Sequence, residues 1–227
     1  MKPAAKTILI AGCGDIGTRL GLQLAAQGWK VYAVRRNPAA LPSRFFSIRA
    51  DLGDPESLRA LPGGADFVLY TATAARFDEA HYRAVYVDGV RNVLAASPSP
   101  NFFFVSSSAV YGQDDGAWVN EQSPTAPRHF NGRVMLEGEH VVRAHGGVCV
   151  RFSGIYGPRR TRLVDTVRRG QPWMQSLPSS SRSSRSSPPG IWPGVAVCAL
   201  WGVLISALLS GRIRLPKFRR ASRIAIG

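Results

Sequence analysis

Three glycines, Gly12, Gly14 and Gly17, stand in G-x-G-x-x-G spacing just after an apolar run, Ile8-Leu9-Ile10. Between a strand and a helix, the first glycine permits a tight turn and the second lets backbone approach a pyrophosphate. The third lets the helix pack on the strand. Asp15 and Ile16 then open the helix, whose first N–H groups and dipole favour an anion. The chemistry expected is dinucleotide binding; the bland alternative is a structural turn. Further on, the second strand ends Val34-Arg35-Arg36, and no acid lies between Asp15 and Asp51. An acid there would accept hydrogen bonds from a ribose 2′-OH, whereas an arginine accommodates a 2′-phosphate. The cofactor expected is therefore NADP(H) rather than NAD(H).

The elements that must position these groups follow from apolar patterning. Ile8 to Ile10 lacks polar alternation, as in a parallel strand buried on both faces, and should lie mid-sheet. Apolar positions from Ile16 to Ala25 give the first helix, and Trp29 to Val34 the second strand. Phe45 to Ala50 reads as a third strand, and Asp54-Pro55-Glu56 as the N-cap and first turn of a short helix. Phe67 to Ala72 is the fourth strand. Asp78 to Ala96 has helical spacing through Tyr82, Val85, Tyr86, Val90, Val93 and Leu94, and Pro98 and Pro100 close it. Phe102 to Ser106, a helix over 131–145 and Val148 to Phe152 complete the set. Strands alternating with helices in this way predict an α/β fold with a doubly wound parallel sheet, a Rossmann-type domain spanning residues 1–170.

The charge of +15 is unevenly placed. Residues 1–170 carry 21 Lys+Arg and all 14 acids, whereas residues 171–227 carry 8 Lys+Arg and no acid. A basic balance can signal nucleic acid or an anionic membrane surface. No helix-turn-helix, zinc or aromatic-basic pattern accompanies it in the first 170 residues, so nucleic acid is not the expected partner. Cys13, Cys149 and Cys198 are odd in number and far apart, which argues for a reducing compartment and against a metal site. The N-terminus runs into the first strand without a separate apolar signal segment, so the cytoplasm is the expected location.

From Gln171 the pattern changes. Residues 171–190 are rich in Ser, Arg and Pro and have no apolar face to bury, the composition of a disordered linker. Residues 191–209 form an uncharged run followed by six basic residues. Its length and flanks would suit membrane contact, although Pro193, Gly194 and Gly202 weaken a span. A tail without evolved structure, such as a changed reading frame or a fused segment would give, fits as well.

Several stretches together resemble the extended short-chain dehydrogenase/reductases, the NAD(P)-dependent epimerase/dehydratase group acting on nucleotide sugars. They are GCGDIG, ADLGD at 50–54, YVDGVRNVLAA at 86–96, FVSSSAVYG at 104–112 and VRFSGIYGP at 150–158. The resemblance implies that Asp51 and Leu52 lie by the adenine and that Ala72, Thr73 and Ala74 line the cofactor. It implies that the fifth-strand serines face the nicotinamide. Ser107 stands three before Val110 and takes the place of the family's catalytic Ser/Thr, with Ser106 and Ser108 one residue to either side. Tyr156-Gly157-Pro158 with Arg159, Arg160 and Arg162 would approach a small-molecule substrate, where arginine forks suit phosphate or carboxylate.

One departure bears on mechanism. The family's Tyr-x-x-x-Lys pair moves the proton, the lysine lowering the tyrosine pKa towards neutrality. Here the lysines are Lys2, Lys6, Lys30 and Lys217, and no tyrosine lies between Tyr111 and Tyr156. Aligning 131–139 with the pattern puts Asn131 at the tyrosine and Met135 at the lysine. Neither has a titratable proton to give. His129 and Arg133 are the nearest groups able to act instead, as base and fixed cation; a loop residue and a solvated helix face are their bland readings. The expectation is an atypical oxidoreductase or epimerase-type enzyme. The alternatives are a cofactor-binding protein without turnover, acting as sensor or partner-binding module, and a truncated enzyme.

Overall fold

Ile8, Leu9 and Ile10 are wholly buried, and each such side chain taken from water stabilises the fold by about 1.5–3 kcal/mol. They belong to β1 (Thr7–Ala11), which pairs in parallel with β2 (Lys30–Arg35) on one side and β4 (Phe67–Tyr70) on the other. A computed structural model describes residues 5–113, 119–153, 165, 168 and 169 of the chain. With β3 (Phe46–Arg49), β5 (Phe102–Ser107) and β6 (Val148–Phe152) the sheet has the order β3-β2-β1-β4-β5-β6. This is the doubly wound order of a Rossmann fold. The strand order reverses beside β1, so the glycine turn after β1 opens at the switch point, where such sheets bind ligands.

Helix α1 (Asp15–Ala26) links β1 to β2 and buries Leu20 and Leu24. The region read as one helix over 78–96 is divided into α2 (Glu79–Arg83), a π-helical turn (Ala84–Asp88) and α3 (Gly89–Ala96). The cause is packing. Tyr70 on β4 is fully buried, and its hydroxyl needs an acceptor. It donates to the carbonyl of Val85, inside the wider turn. The other long helix is α4 (Phe130–Ala144).

Other boundaries shift by one or two residues. The fourth strand stops at Tyr70 instead of Ala72, because the chain there turns across the glycine loop: the Thr71 hydroxyl donates to the Gly12 carbonyl at 2.9 Å. The short helix after β3 is a 3-10 turn (Glu56–Ala60) whose N-cap is Pro55, one residue later than expected, so Asp54 stands outside the turn, where its Oδ1 accepts the Glu56 N–H at 3.0 Å.

Residues 1–110 and 125–151 form one compact unit, which holds the glycine turn and α4. A second unit includes residues 111–113, 119–124, 152 and 153. Within it Tyr111 Oη donates to the Asn120 carbonyl at 2.8 Å, and Ser123 Oγ accepts the Asn120 N–H at 2.9 Å. The linker of 171–190, the apolar run of 191–209, the tail to 227 and the arginines at 159, 160 and 162 lie outside the described residues, as do Tyr156, Gly157 and Pro158. Among the described residues no helix is long and apolar enough to cross a membrane.

Candidate functional site

β1 ends at Ala11, and Gly12 takes a φ of +76°, in the left-handed region that side chains resist. A Cβ on Gly12 would stand 2.4 Å from the Ala72 Cα, so glycine alone lets the turn lie against the chain leaving β4. The N–H groups of Gly12 and Cys13 donate to the Val34 carbonyl at 3.2 and 3.0 Å, pinning the turn to β2. Gly17 brings α1 down onto β1, since a Cβ there would meet Ile10 Cγ2 at 2.7 Å. Gly14 differs. Its nearest neighbour would be the Gly12 carbonyl oxygen at 3.8 Å, which leaves the space above it open. It is also the N-cap of α1, and no side chain caps that end.

A cleft of about 550 Å³ opens over this turn. Its walls are Gly12 and Gly14, residues 34–37 at the end of β2, residues 50–53 after β3, residues 71–73 after β4, and His81, Ala84 and Val85. The site residues expected from sequence divide accordingly. Gly12, Gly14, Arg35, Arg36, Asp51, Leu52, Ala72 and Thr73 line one cleft, although they come from four separate segments. Asp15 pairs with Arg19 at 2.9 Å, Ile16 is half-buried and Gly17 packs on the strand, so these three form the base of the turn. The Ala74 N–H donates to Tyr86 Oη at 3.2 Å, a phenol whose pKa burial raises. Sequence reasoning missed His81, Ala84 and Val85, although their 81/84/85 spacing marks one face of a helix.

The cleft suits an elongated anionic ligand. Open space lies over Gly14, and the helix end behind it is uncapped. Asp51 spends Oδ1 on the Gly53 N–H at 3.0 Å, while Oδ2 makes no hydrogen bond among the described residues. These residues fit a dinucleotide.

The serines at the end of β5 point in different directions. Ser106 Oγ donates to Glu139 Oε1 at 2.6 Å in the interior, which removes it from surface chemistry. Ser107 Oγ accepts the Ala109 N–H at 3.1 Å, so its own O–H is left to donate outward. A Cβ on Gly132 would lie 2.1 Å from the Ala109 carbonyl oxygen, so the first turn of α4 lies directly on the turn after β5. Phe130, against Phe77 at 4.9 Å and Tyr82 at 5.4 Å, fixes that first turn from the other side. Next to it stands Asn131, half-buried, and one turn on is Met135, buried at 5% exposure. His129 is exposed at the helix N-cap, and its side chain makes no capping bond. No tyrosine or lysine occurs on α4. Among the described residues no group of His, Cys, Asp and Glu could hold a metal ion.

The sequence model of the NAD dependent epimerase/dehydratase family matches residues 8–171. The chain belongs to that family. Protein YeeZ of Escherichia coli K12 is 31% identical over 170 residues, 68% of this chain and 61% of its own. The dTDP-6-deoxy-L-talose 4-dehydrogenase (NAD(P)(+)) of Kitasatospora kifunensis is 32% identical over 180 residues, 74% of this chain and 54% of its own. Among solved structures, a Methylobacillus flagellatus protein designated an NAD-dependent epimerase/dehydratase is 38% identical, with a TM-score of 0.62 over 72% of this chain and 59% of that one. The chain thus spans about three fifths of the length of YeeZ.

These comparisons correct the expected cofactor. The epimerase/dehydratase family is described by NAD, and a short-chain dehydrogenase/reductase superfamily protein of Agrobacterium tumefaciens holds bound NAD. That protein is 27% identical, with a TM-score of 0.58 over 64% of this chain and 48% of its own. The preference for NADP(H), drawn from Arg35 and Arg36, is overturned. Both arginines are exposed. A guanidinium at the rim satisfies itself in water, so its presence there does not require a 2′-phosphate.

Proposed function

We propose that the chain binds NAD(H) across the carboxyl ends of β1, β2 and β4 and serves an epimerase/dehydratase-type oxidoreduction of a sugar nucleotide. The observation that carries this reading is the open space over Gly14, at the uncapped end of α1 and at the sheet's switch point. In this reading Gly12 and Gly14 receive the pyrophosphate, and the first turn of α1 from Asp15 through Ile16 to Gly17 faces it. Arg35 and Arg36 flank the adenosine ribose, Asp51 and Leu52 the adenine, and Ala72, Thr73 and Ala74 the middle of the dinucleotide. When bound, NAD supplies hydride acceptance at the nicotinamide C4. Ser107 donates its Oγ–H to the substrate oxygen and holds it, and a ring nitrogen of His129 exchanges the proton. The sugar-nucleotide class is supported by the talose dehydrogenase relative.

A second reading draws on the composition of α4. With Asn131 and Met135 in place of the Tyr-x-x-x-Lys pair, the chain binds the dinucleotide and turns over slowly or not at all, as a sensor or partner-binding module would. General acid–base assistance is worth about 10²–10⁴ in rate, so its loss leaves binding intact while turnover collapses. The experiment is an NADH titration by nicotinamide fluorescence beside a turnover assay over dTDP- and UDP-sugars. Binding with turnover reduced by that factor is expected. Absence of binding would sink both readings, and ordinary turnover of about 1–10³ per second would sink the second.

A further inference from the structure

The chain leaving β4 lines the cleft through residues 71–73 and belongs there to neither strand nor helix. It is tied down at its start, where the Thr71 N–H donates to the Ala11 carbonyl at 2.8 Å and the Thr71 hydroxyl to the Gly12 carbonyl at 2.9 Å. The next tie is Ala74, whose N–H donates to Tyr86 Oη at 3.2 Å. Among the described residues this is the one hydrogen bond made by the backbone of 72–77. The N–H groups of Ala72 and Thr73, between the two ties, therefore have no partner among the described residues.

Tyr86 can hold that end because it is itself held. It sits in the π-helical turn, buried at 8% exposure, directly after the cleft-lining Ala84 and Val85. The Tyr70 hydroxyl fixes the carbonyl of Val85 beside it. From the other side α4 lies against the Tyr86 carbonyl oxygen, which a Cβ on Gly138 would meet at 2.2 Å. Its ring stands 5.1 Å from that of Tyr82, which in turn stands 5.4 Å from Phe130. The phenol oxygen is thus a fixed acceptor. A short segment fixed at both ends, with two unspent donors between them, loses little freedom when a ligand arrives. Those donors suit phosphate oxygens, which accept hydrogen bonds. We infer that Tyr86 is a positioning residue for the dinucleotide: by accepting the Ala74 N–H it holds residues 72–74 in the conformation in which the Ala72 and Thr73 N–H groups meet the ligand. This rests on the dinucleotide reading above and adds to it the anchor that stands behind one wall of the cleft.

The test uses the full chain and Tyr86→Phe, which keeps the ring and removes the acceptor. NADH, titrated by nicotinamide fluorescence, should bind about threefold to tenfold more weakly, the effect of one lost hydrogen bond, with the melting temperature within a few degrees of wild type. AMP, which ends at its first phosphate, should change by less than about twofold in isothermal titration, whereas a general loosening of the fold would weaken both ligands alike. Amide exchange read by NMR supplies a second measurement. In free wild type the Ala74 amide should exchange slowly and those of Ala72 and Thr73 fast, and NADH should protect the latter two. Tyr86→Phe should lose the protection at Ala74 while the amides of β1 keep theirs. NADH affinity within twofold of wild type in the folded variant would overturn the inference, as would an equal loss for AMP or no protection of Ala72 and Thr73 by NADH. If the variant failed to fold, an unprotected Ala74 amide in wild type would still overturn it. If wild type bound neither NADH nor AMP, the dinucleotide reading would fall and this role with it; wild-type binding with an unaffected variant would remove the role of Tyr86 alone.

Discussion

Arg151 on β6 meets Glu139 on α4 twice, Nε to Oε1 at 2.7 Å and Nη2 to Oε2 at 2.6 Å, and the carboxylate is wholly buried. Ser106 on β5 donates to the same carboxylate, and Arg143 reaches it from one helical turn on at 2.7 Å. One anion thereby ties α4 to both strands at the end of the sheet that carries Ser107. Breaking a buried pair by removing one partner leaves the other charge stranded. Glu139→Ala should lower stability by about 3–5 kcal/mol in urea denaturation. Arg143→Ala, whose side chain is half exposed, should cost about 1 kcal/mol or less. Equal losses in the two variants would show that burial is not what makes the network matter.

Gly12 and Gly14 should separate folding from binding. Gly12→Ala forces a side chain into a left-handed φ and against the Ala72 backbone, so it should destabilise the fold. Gly14→Ala meets open space and should keep the melting temperature within a few degrees. Its methyl group nevertheless fills the approach to the turn, so NADH affinity should fall at least tenfold. Thermal melts and fluorescence titrations of both variants check this; a Gly14→Ala chain binding as wild type would disprove the placement of the pyrophosphate.

Tyr70→Phe removes the donor that holds the Val85 carbonyl in the interior. A buried acceptor left without a partner costs about 1–3 kcal/mol. Denaturant midpoints should record that loss. Phe104→Leu, a neighbouring apolar change at 5.8 Å ring separation, supplies the comparison without loss of a hydrogen bond.

The cysteines give a pH-dependent signature. Burial, reinforced by the neighbouring Glu139 carboxylate, pushes the Cys149 thiol up to about 12 from an ordinary 9.0. Burial raises Cys13 as well. In a Cys198→Ser background neither should react with iodoacetamide at pH 8 until the chain is unfolded. The unfolded thiol of Cys149 loses its proton first, so its contribution is fully present below about pH 9. It declines as pH rises towards 12. Stability measured across that window should decrease. Fast native labelling at pH 8 would contradict the burial.

The parallel sheet and the glycine turn were legible because each rests on short-range regularity. Unbroken apolar runs mark buried parallel strands, and G-x-G-x-x-G between strand and helix has few other uses. Asp51 and Leu52 line the cleft. The π-helical turn was not legible, because it answers to a phenol on β4 that is distant in sequence. His81 was missed for a related reason: its place in the cleft wall depends on which helix face meets the cleft, and periodicity over 78–96 gave a single continuous face. Arg35 and Arg36 show the converse. Their position at the end of β2 was read correctly, but residue type alone misjudged the ligand.

The wide turn at Ala84–Asp88 also sets a rotation. Each helical residue advances about 100° around the axis. Five residues spent on one i→i+5 turn therefore offset the azimuth of everything before it from everything after it. The part before it brings His81 to the cleft, while the part after it buries Val90, Val93 and Leu94 in the core. Deleting a single residue within this turn would restore a regular helix and keep the core seated, yet it would swing His81 away from its wall. The length of the segment between Tyr82 and Gly89 is thus as much a part of the binding surface as the side chains on it, and a related chain one residue shorter there would present a different wall to the same ligand.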